Sequence, residues 1–123
     1  MTGAGSTAPG AAPGDNQRDD LAQRLRDLLA PSGRVREVRM FGGISFMVDE
    51  RMAVAAGRTG DLLVRTDPAR YDELLQRGGA PALMGKDRPM GRGWLSVPGE
   101  RIHDAAELAF WVGVGIDSRD APA

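Results

Sequence analysis

Between Val35 and Thr66 the chain offers four short stretches of strand character separated by turn-forming residues, and this restricts it to consecutive strands joined by tight turns. In "ISFMVD", residues 44–49, Ile44, Phe46 and Val48 share one face while Ser45 and Met47 take the other. The stretches 35–40, 52–56 and 61–66 have the same strand character, and "VDERM" and "AGRTGD" read as the hairpin turns between them. Short connections of this kind imply a largely antiparallel sheet.

Helical spacing brackets these strands. Leu21, Leu25, Leu28 and Leu29 recur at intervals that place them on one face of a helix over Gln17–Ala30, with Asp15 or Asn16 as cap and "PSG" as stop. Asp67-Pro68 opens a second helix, because an aspartate side chain caps while proline loses nothing at the first helical position. Tyr71, Leu74 and Leu75 form its apolar stripe and Gly78-Gly79 ends it. "GWLSVP" suits a short strand ending at Pro98, and a last helix begins near Asp104, which has capping-box spacing to Glu107. The resulting order is α-β-β-β-β-α-β-α, an α+β domain with helices packed on the sheet. It spans 15–117, between a small-residue and proline tail at 1–14 and a short tail at 118–123, both expected to be disordered.

At 123 residues the chain has room for one domain with a modest core, so pairing with a second chain would add stability. A formal net charge of −1 argues against a dedicated nucleic-acid binder. With no cysteine and a single histidine, disulfides, thiolate metal sites and histidine clusters are excluded, and no cofactor or metal is expected. No apolar run reaches the roughly 20 residues needed to span a bilayer, so a cytoplasmic protein is expected.

Five features compete as functional sites. Gly42-Gly43 leads into an alternating strand rather than a helix, and no lysine follows, so it suits a bulge or a close backbone crossing better than a phosphate cradle. In "MGKDRPMGRGW", residues 84–94, Lys86, Arg88 and Arg92 could hold an anion or a nucleic-acid backbone, with Trp94 for stacking. The alternative is a solvated loop whose Met84, Met90 and Trp94 dip into the core. His103 and the Asp49-Glu50 pair have no nucleophile or orienting partner defined by motif, so no catalytic residue is assigned and no enzyme is expected. Finally, "LAFWVGVGI", residues 108–116, is uncharged on a predicted helix. An all-round apolar helix needs cover on more than one side, so Leu108, Phe110, Trp111 and Val114 are candidate interface residues, with burial in the chain's own core as the alternative. Gly113 and Gly115 would permit close approach of another backbone.

"VRMFGGISFMVDERMAV", "DLLVRTD", "GWLSVP" and "DAAELAFW", in that order, resemble the N-terminal domain of the TfoX/Sxy family of competence regulators. Met40, Phe41, Gly42, Gly43, Asp67, Val97, Pro98, Leu108 and Trp111 carry the match, over roughly residues 18–117. The resemblance implies a fold of the kind shared with secretion-chaperone-like proteins, homodimer formation, and a regulatory role in transcription through a protein partner. It supplies no catalytic residues. The family's C-terminal helical module, suspected of nucleic-acid contact, has no counterpart before Ala123, which argues against direct DNA binding. The alternatives are a nucleic-acid accessory factor using Arg77, Lys86, Arg88, Arg92 and Arg101, or a small-ligand-binding protein. Relatives usually have Asp-Gly in the first hairpin after the glycine pair. Here Glu50 follows Asp49, so a different or longer turn is expected.

Overall fold

The four strand-like stretches become four consecutive antiparallel strands in the computed structural model, which describes residues 13–40, 42–84 and 88–119. They are β1 (Val35–Met40), β2 (Gly43–Val48), β3 (Arg51–Ala56) and β4 (Leu62–Arg65). Three short strands follow, β5 (Ala80–Pro81), β6 (Leu83–Met84) and β7 (Arg88–Pro89), and then β8 (Trp94–Val97). The main sheet has six strands in the order β1-β2-β3-β4-β8-β5, and every pairing in it is antiparallel. β6 and β7 form a separate hairpin, so the segment expected as a loop carries a short ladder of its own.

The helices are α1 (Pro13–Leu29), α2 (Tyr71–Arg77) and α3 (Ala105–Ser118). α1 starts earlier than expected, with Pro13 in the first helical position, where its missing N–H is harmless. Pro13 and Gly14 therefore belong to the helix instead of the tail, and Asp15 and Asn16 lie inside it rather than capping it. Likewise Ser118 closes α3 and is buried, with Arg119 as its C-cap, while residues 1–12 and 120–123 of the two expected tails lie outside the described residues. The other two caps form as expected. Asp67 accepts the Ala69 N–H at 2.9 Å, and Asp104 accepts the Glu107 N–H at 2.9 Å.

α3 lies across β3 and β4, α1 lies across β2 and β3, and the two helices touch, so both cover one face of the sheet. That face is the hydrophobic core. Strand alternation delivers Ile44, Phe46, Val48, Val54, Leu62, Val64, Leu95 and Val97 to it, and the helices add Leu21, Leu25, Leu29, Leu108 and Trp111. Leu28 departs from the expected stripe and is exposed, while Ala22 takes the buried place beside Leu21.

The expected bulge occurs, but elsewhere. Phe46 pairs with Val54 and Met47 with Met52, which leaves Ala53 as the extra residue of β3. Gly42 instead stands in the two-residue connection between paired Met40 and Gly43, at φ 78°. A side chain on Gly43 would come 2.7 Å from the Ala56 carbonyl oxygen, so at that position the close backbone crossing does occur. On α3, Gly115 meets the Ala53 carbonyl so closely that a β-carbon would collide with it, whereas a β-carbon on Gly113 would meet nothing within 4 Å.

The expected longer turn after Val48 is not formed. Val48 pairs with Arg51, so Asp49 and Glu50 make a two-residue loop with φ of 53° and 70°, the left-handed pair that a type I′ turn requires. Its strain is offset locally. Asp49 donates its N–H to the Arg34 carbonyl at 2.8 Å and accepts the Arg34 N–H on Oδ1 at 3.1 Å, while the Glu50 carboxylate takes bonds from Arg36 at 2.7 and 3.2 Å.

Three outcomes follow, all read from urea unfolding midpoints. Gly115→Ala destabilises by about 1–3 kcal/mol through overpacking, whereas Gly113→Ala stabilises by up to about 1 kcal/mol through helix propensity. Glu50→Gly raises the midpoint, because relief of the left-handed backbone outweighs the loss of an exposed ion pair.

Candidate functional site

The apolar helix face that suggested an interface is covered by the chain itself. Leu108, Trp111 and Val114 are buried against the sheet and α1, and Trp111 has no exposed surface at all. Phe110 is half-buried, meets Trp111 edge-on at 5.1 Å, and lies beneath the Arg77 guanidinium at 4.2 Å. The burial that the interface expectation rested on is thus supplied within one chain.

Arg77 does more than cover a ring. It donates to both oxygens of Glu107 at 3.1 and 2.8 Å, clamping the end of α2 onto the first turn of α3. Glu107 also accepts the Trp111 Nε1–H at 3.2 Å and lies 3.6 Å from Arg101 Nε. The Arg77 hydrogen bonds, outweighing the opposing effect of desolvation, hold the Glu107 carboxyl below its ordinary range, with the Trp111 bond and the charge of Arg101 adding to them. In a capping box this carboxylate would reach back to the Asp104 N–H. Here it turns outward to the arginines.

The candidate basic surface is similarly committed. Arg92 donates to Asp72 at 3.1 and 3.4 Å and lies 4.9 Å over the Tyr71 ring, while Arg77 and Arg101 serve Glu107. Arg88 is exposed on β7. Lys86 and Phe41 lie outside the described residues. Exposed His103 offers its carbonyl to Arg24 Nη2 at 3.4 Å, and the neighbouring Ile102 carbonyl accepts Arg24 Nη1 at 2.8 Å, so this loop is pinned to α1. Among the described residues no three His, Cys, Asp or Glu side chains gather as a metal site would require, and no helix is long and apolar enough to cross a membrane.

The sequence reading overlooked the other face of the sheet. No described helix packs there, yet the register places Val38, Met47, Met52, Ala55, Leu63 and Trp94 on it. Met90 and Trp94 were expected to dip into the core, but they face this side. Together with Leu83 of the β6–β7 hairpin they wall a groove of about 600 Å³ floored by Met52, Ala55 and Leu63. Leu83 is 51% exposed. Arg65, at the end of β4, is nearly buried, donates to the Gly93 carbonyl at 3.1 Å and stacks 5.3 Å from the Trp94 ring, which fixes the indole as one wall. A signal for this face was present in "RMAVAA" and "DLLV", where apolar residues occupy successive positions, as in strands with both faces apolar.

The Glu107 cluster sets an acid response. Because the folded state depresses this carboxyl, its contribution is fully present above the ordinary glutamate value of 4.5 and is lost as pH falls from there through the lower folded value. Glu107→Gln therefore lowers the urea midpoint at neutral pH and flattens that part of the acid slope, as a pH series of unfolding curves would record.

No curated protein matches the chain. The family model for the TfoX N-terminal domain matches residues 27–118, from the last turn of α1 through β1–β8 to the end of α3. The chain therefore belongs to the TfoX N-terminal domain family.

Proposed function

We propose that this chain is a non-enzymatic regulatory domain that works in the cytoplasm through protein contacts, as a homodimer, in the control of transcription. The observation that carries the proposal is the one-sided packing of the sheet: α1 and α3 share one face, and an apolar surface is left uncovered on the other. Apolar strand faces left open to water are characteristic of surfaces that meet another molecule. Family membership supports a regulatory setting over a metabolic one. The arginines at 77, 92 and 101 support a scaffold reading over a nucleic-acid one, since each already faces a carboxylate.

The half of the open face on β1 and β2 suits a second copy of the chain. Val38 and Met47 lie there, flanked by the exposed ion pair of Arg36 and Glu50 at 2.7 Å. A patch carrying both members of an ion pair around an apolar centre is complementary to itself, as a two-fold interface requires. Edge-to-edge pairing is discouraged, because β1 presents Arg36, Glu37 and Arg39 along one edge and β5 contains Pro81 at the other.

Light scattering of the intact chain at micromolar concentration reads this directly. A dimer is expected, and Met47→Asp should convert it to a monomer with unchanged circular dichroism. A parent chain that is monomeric throughout would overturn the homodimer.

A further inference from the structure

The other half of the open face is a groove, and its two ends differ in chemistry. One end is apolar, where Met52, Leu83, Met90 and Trp94 converge. The other lies beside the β1–β2 and β3–β4 turns and is lined by Gly43, Ser45, Arg58 and Thr59. Ser45 is only 2% exposed, and among the described residues its hydroxyl makes no hydrogen bond. No described side-chain nitrogen or oxygen is both sealed from water and unpaired, so this hydroxyl opens onto the groove. A nearly buried serine that turns an unused donor and acceptor into an apolar groove is matched by a ligand's polar group.

Arg58 supplies the charge. Its aliphatic stem lies along Gly42, where a β-carbon would come 3.1 Å from Arg58 Cδ, so the absence of a side chain at 42 leaves room for the arginine to lie against the turn. Among the described residues its guanidinium has no ion pair. The acid nearest in sequence, Asp61, also lines the groove, but its Oδ1 already accepts the Gly99 N–H at 3.1 Å and it forms no ion pair with Arg58. Cation and hydroxyl at one end, and methionine, leucine and indole at the other, make a head-and-tail site.

The geometry points to a small-molecule site in this groove for a free amphipathic carboxylic acid with an acyl tail. The carboxylate meets the Arg58 guanidinium and the Ser45 hydroxyl, and the tail lies between Trp94 and the β6–β7 hairpin. Methionines suit such a tail, because their unbranched and polarisable side chains adapt to irregular apolar shapes. The site uses neither Val38 nor Met47, but it adjoins the homodimer contact, since Ser45 pairs with Val38 and Met52 with Met47.

The test titrates the intact chain with decanoate below its micelle concentration, with decanol as the uncharged control and decyltrimethylammonium as the reversed charge. Trp94 fluorescence reports on the groove, and fully buried Trp111 is the internal reference. Saturable decanoate binding is expected, with a Trp94 response that Trp94→Phe abolishes. Arg58→Gln should weaken decanoate about tenfold and leave decanol unchanged, as loss of a charge-assisted bond predicts. Ser45→Ala should weaken decanoate by a smaller factor. Absence of saturable binding, equal binding of all three probes, or full decanoate affinity in Arg58→Gln would overturn the site. Light scattering on the same samples separates the two readings, since a dimer that ignores decanoate removes this site alone, and a monomer that binds it removes the homodimer alone.

Discussion

The backbone contact between α3 and β3 organises this domain. The bulge at Ala53 puts one extra residue into β3, and the carbonyl of that residue meets Gly115 of α3 with no room for a side chain between them. A helix seated this tightly carries Leu108, Trp111 and Val114 into the core together. α1 completes the cover from the side, through Leu21, Leu25 and Leu29. Once both long helices are committed to one face, none of the described helices is left for the other, and the open face follows from that count.

Electrostatics then fixes the periphery instead of forming a binding surface. Arg26 clamps Glu37 at 2.6 and 2.8 Å, tying α1 to β1. Arg36 holds the strained turn at Glu50, Arg77 ties α2 to α3 through Glu107, and Arg92 joins the segment before β8 to α2 through Asp72. Exposed pairs of this kind contribute little each to stability. Their consequence is geometric, since they orient the short α2 and the connections around β8.

Much of the architecture was legible in the residue pattern, for reasons that can be named. Period-two alternation located β2, and Asp67 and Asp104 marked helix starts because a side-chain acceptor there has one physical use. The errors also have causes. Leu28 has helical spacing to Leu21 and Leu25, yet it falls at the margin of the buried stripe, which runs through Leu21, Ala22, Leu25 and Leu29. Glycine within a strand pattern suggests a bulge or a close backbone crossing, and at the glycine pair only the crossing occurs, at Gly43. The bulge came at Ala53, which has no local signature, since the shift depends on which strand residues pair. Backbone sterics alone argue against the left-handed turn at Asp49-Glu50, but Arg34 and Arg36, which hold it, lie 15 and 14 residues before their partners, around the start of β1.

The candidate site was less legible than the fold. The uncharged 108–116 segment of α3 pointed to a surface needing cover, but the helix finds that cover in its own sheet, and the uncovered surface lies on the opposite side. Sequence alone does not tell which face of a two-sided apolar strand receives the helices, because that depends on how α1 and α3 return across the sheet. The groove depends on the β6–β7 hairpin folding back beside Trp94, a placement no periodicity encodes.

Acrylamide quenching of a Trp94→Phe chain, which retains Trp111 as its sole indole, bears on the central claim most directly. If α3 is buried by its own sheet, Trp111 stays shielded at every protein concentration, including dilutions at which light scattering reports only monomer. Quenching that grows as the protein is diluted would mean that a second chain supplies the cover.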